Sequence, residues 1–222
     1  MKVLFYDCFA GISGDMNLAA LTNIGVPPDY LTKELQKLNI SDYEIQFSEE
    51  QRKGITGTQV NVLLKNEHHH HEEQEHAEHH HHHHHEHRNL HDIEHIINNS
   101  QLSDKVKGMS MDIFRLVAKA EAKIHGKPVD EIHFHEVGAI DSIVDIVGAA
   151  ICIDYLKPNR IIASPVQMGG GFVHCAHGVF PVPAPATLEI MQGKPMKFGA
   201  VPFETATPTG VAILAALADE FT

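Results

Sequence analysis

The chain has no tryptophan, only three cysteines, and no apolar run long enough to cross a bilayer. The cysteines, Cys8, Cys152 and Cys175, are odd in number, widely separated and free of any CxxC pattern, which favours a reducing compartment over a disulfide-stapled fold. The N-terminal segment has neither the basic front nor the length of a signal peptide. A cytoplasmic protein with no membrane partner is therefore predicted.

Positive charge is also scarce, because 17 lysines and arginines face 29 acidic residues, a formal net charge of −12 at pH 7. Nucleic acids bind clustered Lys and Arg, so this balance argues against a nucleic acid as the main partner. With 222 residues, 43% of them hydrophobic, the composition is ordinary for a soluble globular protein. The oligomeric state, including a homo-oligomer, stays open.

Histidine is in excess, with 20 residues, most of them between His68 and His95. Segment 67–95 is almost entirely His and Glu and has no apolar periodicity, so nothing offsets an ordering entropy of about 1 to 2 kcal/mol per residue. We predict a disordered insertion between an N-terminal α/β part, 1–66, and the remainder of the α/β core, 96–222. Imidazole suits Ni²⁺, Cu²⁺ and Zn²⁺, which predicts a metal store; an expression tag or a low-complexity expansion is the alternative.

Outside the insertion, hydrophobic spacing predicts alternating strands and helices. Short apolar runs predict strands at 2–6 and 160–166, and alternating apolar residues predict a β-hairpin that pairs 43–47 with 60–64. Helical spacing predicts helices at about 16–25, 28–38, 111–124, 139–156 and 210–220. The alternation favours an α/β fold, and the hairpin indicates a mixed sheet with flanking helices.

Two motifs are typical of nucleotide or phosphate binding. DCFAGISGDM places Asp7 at a strand end and Gly11 and Gly14 before a helix that carries Asp15, and binding sites form at such strand ends. ETATPTG places Thr207 before the last helix, whose first N–H groups suit an anion. Tight turns with Asp15 and a threonine as helix caps are the structural alternative.

The motif HFHEVGAIDSIVDIVG combines two histidines with three acids. His133 and His135 share one side of an extended segment, Glu136 follows, and Asp141 and Asp145 lie one helical turn apart. Neighbouring carboxylates repel, and a divalent cation or a shared proton offsets that repulsion. The motif predicts a metal or acid–base centre, with solvated acids and core histidines as the alternative.

The motif GGGFVHCAHG groups His174, Cys175 and His177 beside a glycine loop. Imidazole and thiolate both bind nickel or zinc, which predicts a second set of metal donors. A buried structural cysteine with two incidental histidines is as compatible with the pattern. The glycines at 169–171 are also compatible with a phosphate cradle built from backbone N–H groups.

In this order, the four motifs resemble the LarC family along essentially the whole chain, including its histidine-rich insertion. The resemblance implies nickel insertion into pyridinium-3,5-bisthiocarboxylic acid mononucleotide, a pyridinium dithiocarboxylate, which yields the nickel-pincer cofactor of lactate racemase. It implies a lyase-class nickel chelatase, a cyclometallase, that uses CTP with Mn²⁺ or Mg²⁺. It further implies a place after the sulfur transferase LarE and before the lactate racemase apoprotein.

Residue roles follow as hypotheses. The catalytic set is Glu136, Asp141 and Asp145. The metal ligands are His133, His135, His174, Cys175 and His177. The cofactor-binding set is Asp7, Gly11, Gly14, Asp15 and Thr207. We expect the C-terminal CTP-binding domain of the family to lie outside this chain, whether the chain is a fragment or a natural N-terminal product. A nickel store or metallochaperone without catalysis, and a metal-dependent hydrolase, are the competing classes.

Overall fold

A computed structural model describes residues 1–65, 88–134, 137–175 and 178–222, with Cys175 described through its backbone only. Most of the predicted insertion lies outside these ranges. The described helices are α1 Gly14–Asn23, α2 Pro28–Leu35, α3 Leu90–Asn98, α4 Asp104–His125, α5 Ile140–Leu156, α6 Pro185–Ile190 and α7 Pro208–Leu217. The described strands are β1 Val3–Tyr6, β2 Tyr43–Arg52, β3 Ile55–Leu64, β4 Arg160–Ala163, β5 Val166–Gln167, β6 Phe172–Cys175, β7 Gly178–Pro181, β8 Met196–Lys197 and β9 Glu220–Phe221.

The α/β class is confirmed, and parallel and antiparallel pairs occupy separate small sheets. Strands β1, β4 and β9 form a parallel sheet with β4 in the middle. The predicted strand at 160–166 ends early, because Pro165 has no N–H to donate and the chain turns away after Ala163. Ser164 then accepts a hydrogen bond on Oγ from the Cys8 N–H at 2.9 Å, and β5 pairs with β8 instead.

The predicted hairpin is confirmed as a ladder of β2 with β3, from Tyr43 opposite Leu64 to Arg52 opposite Ile55. The turn residues Lys53 and Gly54 have φ of 50° and 84°, the left-handed conformation that a two-residue hairpin turn requires. One side of the hairpin lies against α1. This pairing places a long antiparallel arm against α1 and α5.

Helix α5 forms the centre of the core. It packs against α1, α2, α4 and α7, and its residues Ile143, Val147 and Ile151 are fully or almost fully buried. A Cβ on Gly148 would lie 2.9 Å from Leu18 Cδ2, so glycine lets α1 approach α5 closely. Of the helices described, none combines the length and the apolar composition that crossing a bilayer requires.

The C-terminal limit of the predicted insertion, at His95, is wrong. Helix α3 already begins at Leu90, after a capping box in which Asn89 and Asp92 each accept a hydrogen bond from the other's backbone N–H at 2.9 Å. Ile93 is fully buried. Apolar spacing was therefore present, but the surrounding histidines concealed it.

Two predicted helix boundaries also move. Helix α4 begins at Asp104 rather than near 111, because Ser103 caps it by accepting a hydrogen bond from the Val106 N–H at 3.3 Å. Helix α7 ends at Leu217, and the residues that follow form β9 beside β4. The strand thereby completes the parallel sheet.

Candidate functional site

The glycine loop after β1 is fixed against the chain that precedes α7. The Ile12 N–H donates to the Thr205 carbonyl at 2.9 Å, and the Thr207 N–H donates to the Ile12 carbonyl at 3.0 Å. Gly11 has φ +84°, and a Cβ there would lie 1.9 Å from the Thr205 carbonyl oxygen. Packing therefore requires Gly11, and the first and fourth motifs form one structure at the carboxyl end of β1.

Helix caps account for part of these motifs. A threonine caps α7, as the structural alternative required, and it is Thr207, whose Oγ1 accepts from the Gly210 N–H at 3.2 Å. Ser13, rather than Asp15, caps α1, because its backbone is extended and its Oγ faces the Met16 N–H at 3.4 Å. Asp15 instead lies exposed in the first turn, where a carboxylate is stabilised by the helix dipole.

Three acids meet where the N-terminal turns of α1 and α5 pack together. A Cβ on Gly14 would lie 2.1 Å from Asp145 Oδ2, so α1 approaches this carboxyl without any side chain between. Burial, and after it the charges of Asp15 and Asp141, together raise the pKa of Asp145 from its ordinary value of 3.8 to about 8. We call Asp15, Asp141 and Asp145 the acid cluster. The raised pKa favours the protonated form of Asp145.

Asn17 is a buried polar residue in the same helix interface that the motif analysis missed. It is 2% exposed and lies one turn after Gly14, on the face of α1 that meets α5. Among the residues described, both polar atoms of its amide and Oδ1 of Asp145 are buried without a hydrogen-bond partner. Each such group costs about 1 to 3 kcal/mol, so this interface is not optimised for stability. The sequence signal was an asparagine directly before the buried Leu18.

The first half of the second motif leads into α5. His133 is exposed and forms an isolated antiparallel β-bridge with Asn89. Phe134 is buried and donates its N–H to the Arg88 carbonyl at 2.9 Å. The Arg88 guanidinium donates in turn to the Gly138 carbonyl at 3.1 Å. The predicted site residues His135 and Glu136 lie outside the described residues.

The third motif lies on the β6–β7 hairpin. His174 is exposed there, opposite Val179. The side chain of Cys175 and the whole of His177, both predicted metal ligands, lie outside what the structure describes.

The phosphate cradle considered for the glycines of this motif is contradicted for the first two. The Gly169 N–H donates to Gln167 Oε1 at 3.1 Å, and the Gly170 N–H donates to the Phe203 carbonyl at 3.2 Å. A Cβ on Gly169 would lie 1.9 Å from the Phe203 carbonyl oxygen. Close backbone packing, rather than an anion, therefore explains these glycines.

The part of the chain that the structure describes contains no group of three or more His, Cys, Asp or Glu placed to hold a metal ion. The acid cluster instead offers a protonated buried carboxyl beside two further acids. A carboxyl in such a setting can hold a proton and release it when a cation approaches, because a nearby positive charge favours the ionised form. Asp7, also predicted at this end of β1, is exposed.

Comparison with known proteins gives a consistent result. A family model described as "Nickel insertion protein" matches residues 4–222. Two relatives named pyridinium-3,5-bisthiocarboxylic acid mononucleotide nickel insertion protein cover 100% of this chain. The one from Clostridium kluyveri is 64% identical over 223 residues, 55% of its length, and the one from Clostridium acetobutylicum 60% identical over 243 residues, 57% of its length.

A relative of the same name from Geobacillus kaustophilus is 48% identical over 214 residues, which cover 96% of this chain and 50% of the relative. The chain thus spans about half the length of the curated relatives it matches. No solved structure matches it.

Proposed function

This chain belongs to the nickel insertion protein family, and we propose on that premise that it inserts nickel into pyridinium-3,5-bisthiocarboxylic acid mononucleotide. The observation that carries the proposal is its alignment, over 96% to 100% of its residues, with relatives that bear this substrate in their names. The product is the nickel-pincer cofactor, which activates lactate racemase. Nickel is a substrate in this reaction rather than a resident cofactor.

Asp145 has the chemistry that such a reaction needs. When a ring carbon binds nickel, it loses its proton, and a base must accept that proton. An approaching Ni²⁺ favours the ionised form of the buried carboxyl, so Asp145 releases its first proton to water as the metal arrives. The carboxylate then accepts the ring proton, and Asp141 and Asp15 attract the cation. We propose these acids as the acid–base part of the site.

The remaining predicted residues have supporting roles in this proposal. Glu136 assists acid–base chemistry, and transient nickel donors are His133, His135, His174, Cys175 and His177. Gly11 and Gly14 shape the loop that lies beside the acid cluster, while Asp7 and Thr207 flank the same end of β1. The division into 1–66, 67–95 and 96–222 also stays a prediction, apart from the corrected boundary at α3.

We further propose the wider setting that the family resemblance implies. The enzyme is a lyase-class nickel chelatase of the cytoplasm and is a monomer or a homo-oligomer. It acts after LarE and delivers its product to the lactate racemase apoprotein. CTP with Mn²⁺ or Mg²⁺ completes this proposal and rests on the family resemblance. A nickel store without catalysis is the second candidate, favoured by the 20 histidines.

The decisive experiment replaces residues 67–87 with a Gly/Ser segment of equal length, which leaves α3 and its Asn89 cap intact. Nickel binding is measured by calorimetry, and nickel-pincer formation is measured with the metal-free nucleotide, with CTP and Mn²⁺ present. We expect the variant to bind fewer nickel ions but to form product at the normal rate when nickel is saturating.

Two results would contradict these proposals. Product formation that requires the histidines even at saturating nickel would favour a role for the tract in the chemistry itself. Absence of product from both proteins would leave nickel storage as the function of this chain.

A further inference from the structure

A cleft of about 920 Å³ lies between α1 and the β2–β3 hairpin. Its floor is the outer face of α1, and its opposite wall is formed by β3 and the last residues of β2. Phe9 and Ala10 lie where the cleft meets the glycine loop, and Asp15 connects it to the acid cluster. Ligand sites commonly enclose about 300 to 1,000 Å³, so the cleft has room for a mononucleotide.

Large apolar side chains are exposed around this cleft. Phe9 is 74% exposed and Ile55 77% exposed, and Met16 and Ile24 add further apolar surface along α1. The small residues Ala19 and Ala20 lie between those two positions on the helix. A flat ring can therefore contact both an aromatic face and the α1 backbone, and a cationic ring gains from Phe9 and from the Asp15 carboxylate.

Arg52 is the one cation among the described residues that line the cleft. Its side chain is 80% exposed, and its Nε lies 3.9 Å from Glu50 Oε2. Such an exposed ion pair contributes little, so the guanidinium can exchange it for a phosphate, which it binds through two parallel N–H groups. Asn23 Nδ2 donates to Thr58 Oγ1 at 2.9 Å and holds the hairpin against α1.

We propose that this cleft binds the pyridinium mononucleotide, with the ring beside Phe9, Met16 and Asp15 and the phosphate on Arg52. The cleft offers a partner for the ring cation, the Asp15 carboxylate, and a partner for the phosphate, the Arg52 guanidinium. The inference rests on the proposed function, because it locates the substrate of that reaction. It places the reacting ring at the end of the cleft nearest the acid cluster.

The test uses calorimetry on the full chain with two probes. Nicotinic acid mononucleotide carries the pyridinium ring and the phosphate, and nicotinic acid riboside lacks only the phosphate. We expect Arg52→Gln to weaken mononucleotide binding roughly tenfold or more without affecting the riboside. Phe9→Ala is expected to weaken both probes, by roughly threefold to tenfold.

Arg115→Gln is the matched control, because Arg115 is an exposed arginine on α4 that pairs with Asp112 and Glu94 outside the cleft. It should bind both probes like the wild type. Phe9, Arg52 and Arg115 are all solvent-exposed, and unchanged unfolding midpoints will establish that the variants fold normally.

The outcomes separate this inference from the proposed function. No binding of either probe at millimolar concentration, or equal losses of both probes in Arg52→Gln, overturns the cleft assignment. Nickel insertion by wild type with an unchanged nucleotide KM in Arg52→Gln and Phe9→Ala leaves the function standing and the cleft assignment wrong. Probe binding that depends on both side chains, without insertion by any chain, supports the cleft and contradicts the function.

Discussion

The acid cluster and the β6–β7 hairpin both carry residues that the sequence marks for chemistry, yet their surroundings differ. Asp145 is held against the Gly14 backbone with Oδ1 buried and unpaired within the described structure, and its pKa is raised to about 8. On the hairpin, by contrast, His174 is exposed, and so are the neighbouring Phe172 and Val179. Among the described residues of these two regions, only those of the first include a polar group in an unfavourable environment.

The burial of the Asp145 carboxyl is informative because it lowers the stability of the folded chain. A leucine or asparagine in place of Asp145 would avoid the cost of burying a carboxyl, and the unpaired amide of Asn17 adds to that cost. An exposed histidine does not lower the stability of the folded chain in this way, so its position is weaker evidence for a functional role. Ligand-type residues in a motif indicate chemistry less strongly than a destabilised group does.

The largest expected effect comes from removing both helix acids. Asp141→Asn with Asp145→Asn should reduce nickel-pincer formation at least a hundredfold, because both α5 carboxylates of the proposed acid–base site are then lost. Nickel loading of the histidine tract, measured by calorimetry, should be unchanged. The measurement is the rate of product formation at saturating nickel.

Asp154→Asn is the matched control on the same helix, since Asp154 pairs with Lys105 at 3.1 Å, away from the cluster. It should retain the wild-type rate. If the double variant fails to fold, the acids have a structural role instead. If it folds and inserts nickel normally, the acid–base assignment is wrong.

The pH dependence of stability gives the next largest effect. The pKa of Asp145 is higher in the folded chain than its ordinary value of 3.8, so the folded state holds an extra proton between about pH 4 and pH 8. The free energy of unfolding contributed by this group therefore falls as pH rises through that window. The Asp145→Asn variant has no carboxyl to titrate at this position. The difference in free energy of unfolding, variant minus wild type, should therefore increase by on the order of a few kcal/mol from pH 4 to pH 8.

Urea unfolding at several pH values measures this difference directly. Control titrations of Asp154→Asn remove the contribution of a general change in charge. A difference between Asp145→Asn and wild type that is constant with pH would show that the carboxyl titrates normally in the folded chain.

Local patterns in the sequence were sufficient for much of the fold. Alternation predicted the hairpin, and a continuous apolar stripe predicted α5 with Asp141 and Asp145 on one face. Helix α3 was missed because the histidines around Leu90 concealed its spacing, although the Asn89 cap was visible. The strand at 160–166 was predicted too long because Pro165 interrupts it and Val166 belongs to β5, which pairs with β8, a strand distant in sequence.

The candidate site was less predictable, because it depends on contacts between distant segments. Nothing local shows that Gly14 lies against Asp145 or that Gly11 lies against Thr205. The burial of Asn17 likewise depends on how α1 crosses α5. Residue types in a motif therefore predicted a set of candidate acids, whereas the raised pKa of Asp145 required the tertiary structure.

The smallest expected effect concerns the exposed hairpin. His174→Ala should lower the rate of nickel-pincer formation less than tenfold at saturating nickel, because a solvent-exposed imidazole acts as a transient donor that other ligands replace. A modest rise in the nickel concentration needed for half-maximal rate is expected. Exposed His133, treated in the same way, provides the comparison. A loss with His174→Ala as large as that of the acid double variant would reverse the contrast between the two regions, and would place nickel coordination on the hairpin.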